Sequence, residues 1–131
     1  MKKTDKIFIA GHNGLVGGSI YKILLKKGFK NIITVSSNKL DLRNYSKVEK
    51  YFKKIKIDYI VMAAAKAGGI MANSTNQKDF FLNNIEIQNS LLQMALKKKI
   101  KRTIYLGTSC IYPKFSKTPI KEGIAKYKVN L

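Results

Sequence analysis

The sequence predicts an α/β protein built on a doubly wound parallel sheet, and three observations carry that expectation. An apolar strand, Lys6 to Ala10, runs into a glycine loop and then into an amphipathic helix. Strand-like and helix-like segments then alternate along the chain, and strands joined through helices pair in parallel with right-handed crossovers. No internal repeat, linker or low-complexity tract interrupts the 131 residues, a length that suits one domain with a real core.

The opening stretch organises the rest. Gly11 permits a sharp exit from the first strand, Gly14 lets backbone N–H groups close on a phosphate, and Gly17 lets the helix pack tightly on the strand. An apolar stripe at Val16, Ile20, Ile23 and Leu24 gives the helix, which stops at Gly28. Its N-terminus offers unpaired N–H donors and partial positive charge to a pyrophosphate. Strand, glycine loop and helix together predict a dinucleotide clamp, with the glycines spaced three and three apart.

The β-branched run from Asn31 to Val35 predicts the second strand. Its end meets Ser36, Ser37, Asn38 and Lys39 rather than a carboxylate, which favours a phosphorylated adenosine ribose, hence NADP, over the free hydroxyl of NAD. A helix follows with Val48, Tyr51, Phe52 and Ile55 on one stripe, capped by Asn44 or Ser46. Before it stands Asp41, which can accept from an adenine amino group or serve as a turn or cap aspartate.

Asp58 to Ala65 predicts the third strand, placed beside the first across the point where strand order reverses. Its small residues, Ala63 to Ala65, let a flat ring or ribose approach the backbone. A long helix is expected from about Gln77 to Lys99, with Asn83 and Asn84 polar among its apolar residues. Thr103 to Gly107 predicts the fourth strand, which delivers TSCIYP, Thr108 to Pro113, to the carboxyl end of the sheet. Hydroxyls and a thiol placed there suit the holding and activation of a carbonyl. Nothing in the last dozen residues is expected to cover this strand, so the sheet is incomplete at the C-terminus.

Charge and composition exclude several classes. The formal net charge of +19 would point to nucleic acid, yet Arg43 and Arg102 are the only arginines among 26 basic residues, and the lysines are scattered. No nucleic-acid partner is therefore expected, although the charge can draw in an anionic nucleotide. No apolar run approaches the ~20 residues of a membrane span, and no signal-peptide pattern opens the chain, so a soluble cytoplasmic protein is expected. The lone Cys110 excludes an intramolecular disulfide, and no metal is implied.

The pieces FIAGHNGLVG, AAAKAGGI with Asn73 just beyond, and LGTSCIYPK together resemble the extended short-chain dehydrogenase/reductase superfamily. Within it, the stretch from about Lys6 to Glu122 is most similar to the N-terminal part of the GDP-L-fucose synthase family. That resemblance implies a Rossmann-like fold and NADPH-dependent epimerisation and reduction of GDP-4-keto-6-deoxy-D-mannose, a GDP-linked keto-deoxyhexose. It implies that Gly11, His12, Asn13, Gly14, Leu15, Val16 and Gly17 bind the cofactor pyrophosphate and Asp41 the adenine. Ala63, Ala64 and Ala65 would meet the ribose on the nicotinamide side, and Leu106, Gly107 and Ser109 the region near the reacting carbonyl. Thr108, four residues before Tyr112, takes the place of the catalytic Ser or Thr, and Cys110 that of the cysteine of proton transfer.

Two departures accompany the resemblance. The family's arginine in the glycine loop is Asn13 here, and the arginine after the second strand is replaced around Ser37, which leaves NAD open beside NADP. The superfamily's Tyr-x-x-x-Lys pair is missing, since Leu131 stands fourth after Tyr127. Residues 1–131 thus read as the N-terminal part of an NAD(P)-binding domain without its substrate domain, inactive alone. A non-catalytic nucleotide-binding module is the alternative, and the full-length family is expected to be homodimeric.

Overall fold

A computed structural model of the chain describes residues 1–107, 112–113 and 115–121. Strands β1 (Ile7–Ala10), β2 (Ile32–Thr34), β3 (Tyr59–Met62) and β4 (Arg102–Tyr105) alternate with helices α1 (Leu15–Lys26), α2 (Tyr45–Lys53), α3 (Ile70–Thr75) and α4 (Gln77–Lys97). The sheet order is β2-β1-β3-β4, with every neighbouring pair parallel. The second strand thus lies on one side of β1 and the third on the other, the reversal expected of a doubly wound sheet.

Register follows from the pleat. Ile7 pairs with Ile32 and with Tyr59, and Tyr59 with Arg102, so the strands begin level with one another. Alternate side chains then separate into two cores. Phe8, Ala10, Ile60 and Met62 pack with Val48 and Phe52 of α2 and with Leu91 and Met94 of α4. Ile7, Ile9 and Val61 pack with Phe29 and, on α1, with Ile20, Tyr21 and Leu24. Phe8 and Phe52 meet edge to face with ring centroids 5.0 Å apart. Each fully buried side chain of this size is worth roughly 1.5–3 kcal/mol of burial.

Local signals explain where the helices start and stop. Asn44 caps α2 by accepting a hydrogen bond from the Lys47 N–H at 3.0 Å, and Ser46 is not the cap. Helix α2 ends at Lys53, so Ile55 lies beyond the stripe expected to include it. On α1 the packed stripe is Gly17, Ile20, Tyr21 and Leu24, whereas Val16 and Ile23 are exposed. The expected stripe is therefore rotated, because Gly17 has to face the loop. Helix α3 was not expected; its six residues are too few to display a helical period.

Two further ties fix the frame. Lys101 bridges Asp5 at 2.8 Å and Asp58 at 3.0 Å, linking the approaches to β1, β3 and β4 at the edge opposite the carboxyl ends. Along β4, Ile104 and Tyr105 are half exposed, in keeping with an edge strand. Among the described residues no helix is long and apolar enough to cross a membrane.

Candidate functional site

A cleft of about 680 Å³ opens at the carboxyl ends of β1, β2 and β3. Its floor begins at the glycine loop. Gly11 has φ +82°, and a Cβ built on it would lie 2.6 Å from both the Ala63 carbonyl oxygen and the Ala64 nitrogen, so the loop passes directly over the end of β3. Only glycine satisfies both the backbone angle and the clearance. A Cβ on Gly14 would meet only the Gly11 oxygen, at 3.4 Å, and otherwise enter open space.

Gly14 is also the N-cap of α1. It has extended backbone angles, supplies no side-chain cap, and no acid follows in the first turn. The N–H groups at the start of α1 are thus left to a ligand, and they carry the positive end of the helix dipole. A bare cradle behind an uncapped helix start fits a dinucleotide pyrophosphate.

The remaining walls come from distant parts of the chain. Ser37 and Asn38 follow β2, Ala63, Ala64, Ala65 and Lys66 follow β3, and Asn83 and Ile87 stand on α4. Between them lie Leu40, Asp41, Leu42 and Arg43. The Asp41 carboxylate takes the Arg43 guanidinium side-on, Oδ1 accepting from Nε at 2.9 Å and Oδ2 from Nη2 at 2.8 Å. Oδ1 also accepts the Arg43 backbone N–H at 3.0 Å. These donors, the side-chain hydrogen bonds from Arg43 foremost, hold the Asp41 carboxyl at about 2.

The network continues across the cleft. Arg43 Nη1 donates to Asn83 Oδ1, and Asn83 Nδ2 donates to the Asp79 carbonyl at 2.6 Å and to Asp79 Oδ1 at 2.7 Å. Asp79 pairs in turn with the Lys66 ammonium, whose hydrogen bond is the main cause of its lowered pKa. Asn84 treats Lys66 as a neighbouring strand would, accepting from its N–H at 2.6 Å and donating to its carbonyl at 3.0 Å. The stretch after β3 is thereby held against α4. Asn83 is buried with both its amide nitrogen and its amide oxygen hydrogen-bonded to these partners, and no buried side-chain polar atom among the described residues lacks a partner.

Of the residues expected from the sequence, Gly11, Gly14, Asp41, Ala63, Ala64 and Ala65 come together around this cleft. His12 and Asn13 lie in the loop and Leu15, Val16 and Gly17 in the first turn of α1, none of them lining the cleft. Leu106 and Gly107 follow β4 and do not line it. Thr108, Ser109 and Cys110 fall outside the described residues. Sequence reasoning missed Arg43, Lys66 and Asn83 as cleft residues. The available signals were slight: one of two arginines standing two places after Asp41, and a paired asparagine inside an otherwise amphipathic helix.

The sequence profile of the family described as "NAD dependent epimerase/dehydratase family" matches residues 7–130. The chain is 44% identical over 123 residues to "Putative GDP-L-fucose synthase 2" of Arabidopsis thaliana, an alignment covering 94% of this chain and 38% of that protein. Among solved structures it resembles a GDP-mannoheptose C4 reductase from Campylobacter jejuni with NADP bound. That match has a TM-score of 0.89 at 34% identity and covers 95% of this chain and 37% of the other. A GDP-L-fucose synthetase from Naegleria fowleri bound to NADP matches with a TM-score of 0.83 at 27% identity, over 95% of this chain and 38% of the other. The chain therefore spans well under half the length of these relatives. With a glycine cradle at the switch point of a parallel sheet, and with that profile running nearly from end to end, the chain belongs to the NAD dependent epimerase/dehydratase family.

Proposed function

We propose that this chain is the cofactor-binding part of an NADPH-dependent epimerase/reductase acting on a GDP-linked keto-deoxyhexose, of the GDP-L-fucose synthase type. One observation carries the reading. Gly11 of the glycine cradle and Gly14, the N-cap of the uncapped α1, line the same cleft as Asp41 and Ala63 to Ala65. Those are the surfaces that the pyrophosphate, the adenine and the second ribose of a dinucleotide require. The names of the relatives supply the sugar class, since both fucose synthases and a heptose reductase among them act on GDP-linked sugars.

The roles divide by place. The N–H groups after Gly14 bind and neutralise the pyrophosphate, while Oδ2 of Asp41, which keeps one lone pair free beside Arg43, accepts from the adenine amino group. Ala63 to Ala65 present bare backbone to the nicotinamide-side ribose. When bound, the cofactor supplies the hydride for reduction of the sugar ketone. Thr108 holds the keto oxygen by hydrogen bond, which stabilises the charge that develops there as a neighbouring C–H is ionised. Cys110 as thiolate takes up a proton on one face of that carbon, and inversion then needs a second acid on the opposite face, a role assigned to none of residues 1–131. A thiol performs this near neutral pH when local positive potential lowers its pKa.

By itself the chain is proposed to bind the dinucleotide without turning over the sugar, because no Tyr-x-x-x-Lys pair lies within its sequence. The test is fluorescence titration with NADPH, beside duplex DNA, at physiological salt. Saturable NADPH binding with weak, non-specific DNA binding is expected. Tight, salt-sensitive DNA binding with no cofactor response would sink the reading.

A further inference from the structure

The two arginines that the resembled family uses around the adenosine phosphate are absent, at Asn13 and around Ser37. A cation for a 2′-phosphate has to come from elsewhere if this cleft is to prefer NADP. We infer that Arg43 is that cation, a specificity-determining residue that binds the 2′-phosphate of the adenosine ribose; this rests on the dinucleotide reading of the cleft.

Place selects it first. Ser37 and Asn38, at the end of β2 where an adenosine ribose is met, line the same cleft as Arg43. Lys66 lines the cleft as well, but it follows β3 on the nicotinamide side and is paired with Asp79. Lys39 stands next to Asn38 in sequence, is exposed, and does not line the cleft.

Donor capacity selects it next. A guanidinium has five N–H groups in a rigid fork. Asp41 takes one from Nε and one from Nη2, and Asn83 takes one from Nη1. One N–H on each terminal nitrogen remains, the pair that suits two oxygens of a phosphate. Arg43 is also held in advance. Asp41 grips one side, Asn83 the other, and Asn83 is itself fixed by Asp79, while 48% of the Arg43 side chain stays open to solvent. Little side-chain order has to be acquired when an anion arrives.

The same geometry bears on NAD. A carboxylate selects NAD by accepting from the free ribose hydroxyls. Here three hydrogen bonds from Arg43 occupy Asp41, which withdraws most of its acceptor capacity from that task. Removing Arg43 therefore acts twice: the phosphate loses its fork, and an unpaired carboxylate is exposed to it.

The experiment is a titration of the wild-type chain, Arg43→Gln and Arg43→Lys with NADPH, NADH, 2′,5′-ADP and 5′-ADP, with circular dichroism confirming the fold. Wild type is expected to bind NADPH and 2′,5′-ADP more tightly than NADH and 5′-ADP. Arg43→Gln should weaken the two 2′-phosphorylated ligands by about tenfold or more, and leave the other two within about threefold or slightly tighter. Arg43→Lys, which keeps the charge and loses the fork, should fall between; it decides the matter if the glutamine variant fails to fold. Equal losses for all four ligands would make Arg43 a structural brace and overturn the inference, as would a wild-type chain that binds NADH as well as NADPH. A wild-type chain that binds neither dinucleotide would overturn the cofactor reading itself, and this inference with it.

Discussion

The Gly11 carbonyl oxygen occupies the space that a side chain on Gly17 would need: a Cβ built there lies 2.2 Å from it and 2.7 Å from the carbonyl carbon. Both partners are backbone, and Gly11 is pinned in turn by Ala63 and Ala64. Gly17→Ala therefore has to displace either the loop or α1. It is expected to destabilise the fold by about 2 kcal/mol or more, read as a lower denaturant midpoint. Gly14→Ala finds the space that Gly17→Ala lacks and should stay within about 1 kcal/mol of wild type, yet weaken dinucleotide binding by placing a methyl in the cradle. If the two variants melt alike, the close approach of loop and helix is not what holds this turn.

Asn84 pairs with both the N–H and the carbonyl of Lys66, replacing a strand that the sheet lacks at that point. Asn84→Ala should cost about 1–2 kcal/mol. It should also speed amide exchange at Lys66 without changing exchange in β1, which hydrogen-exchange mass spectrometry or NMR would read. Unchanged protection at Lys66 would show that the stretch after β3 is held by something else.

Phe52 is fully buried against Phe8 and flanked by Tyr51. Truncation to alanine removes a ring that joins α2 to the middle of the sheet and should cost about 3–5 kcal/mol. For a domain of this size that is a large part of the whole stability, so Phe52→Ala is expected to be largely unfolded at 37 °C by circular dichroism. A well-folded variant with a melting temperature near wild type would contradict the packing described.

Asp5, Asp41, Asp58 and Asp79 all have carboxyl pKa values lowered by hydrogen bonds in the fold, Asp41 from 3.8 to about 2. A lowered folded pKa contributes stability above the unfolded value and loses it as pH falls through the folded one. The melting temperature should therefore be nearly flat from about pH 7 to 5 and fall between about pH 4 and 2. Lys101 is raised by Asp5 and Asp58, so its share is present below the ordinary lysine value and fades in strong alkali. Lys101→Met should flatten the acid slope, because Asp5 and Asp58 then titrate closer to their unfolded values. An acid slope unchanged in that variant would assign the acid sensitivity to other carboxylates.

The strands were legible because each is a short apolar, partly β-branched run bounded by polar residues or glycine, and their order followed from connection rules. The core face of α1 was not legible. Periodicity allowed two adjacent stripes, and the choice was made by the contact between Gly11 and Gly17, which no local pattern displays. The same holds for the cleft. Its glycines and alanines announced themselves by being small, and Asp41 by the resemblance. Arg43 and Asn83 acquire a role only when a fold brings together residues 40 positions apart. Helix α3 escaped because barely more than one turn cannot set a period.

Lys101 and Asp5 are 96 residues apart in sequence. Their ion pair requires β1, β3 and β4 to be in register, so it has no local precursor and is expected to form late. Loop-closure entropy is spent on pairing the central strands before this contact returns anything. Lys101 thus works as a clasp on a finished sheet rather than as part of its nucleus, and loss of the clasp should quicken unfolding while leaving the folding rate nearly untouched.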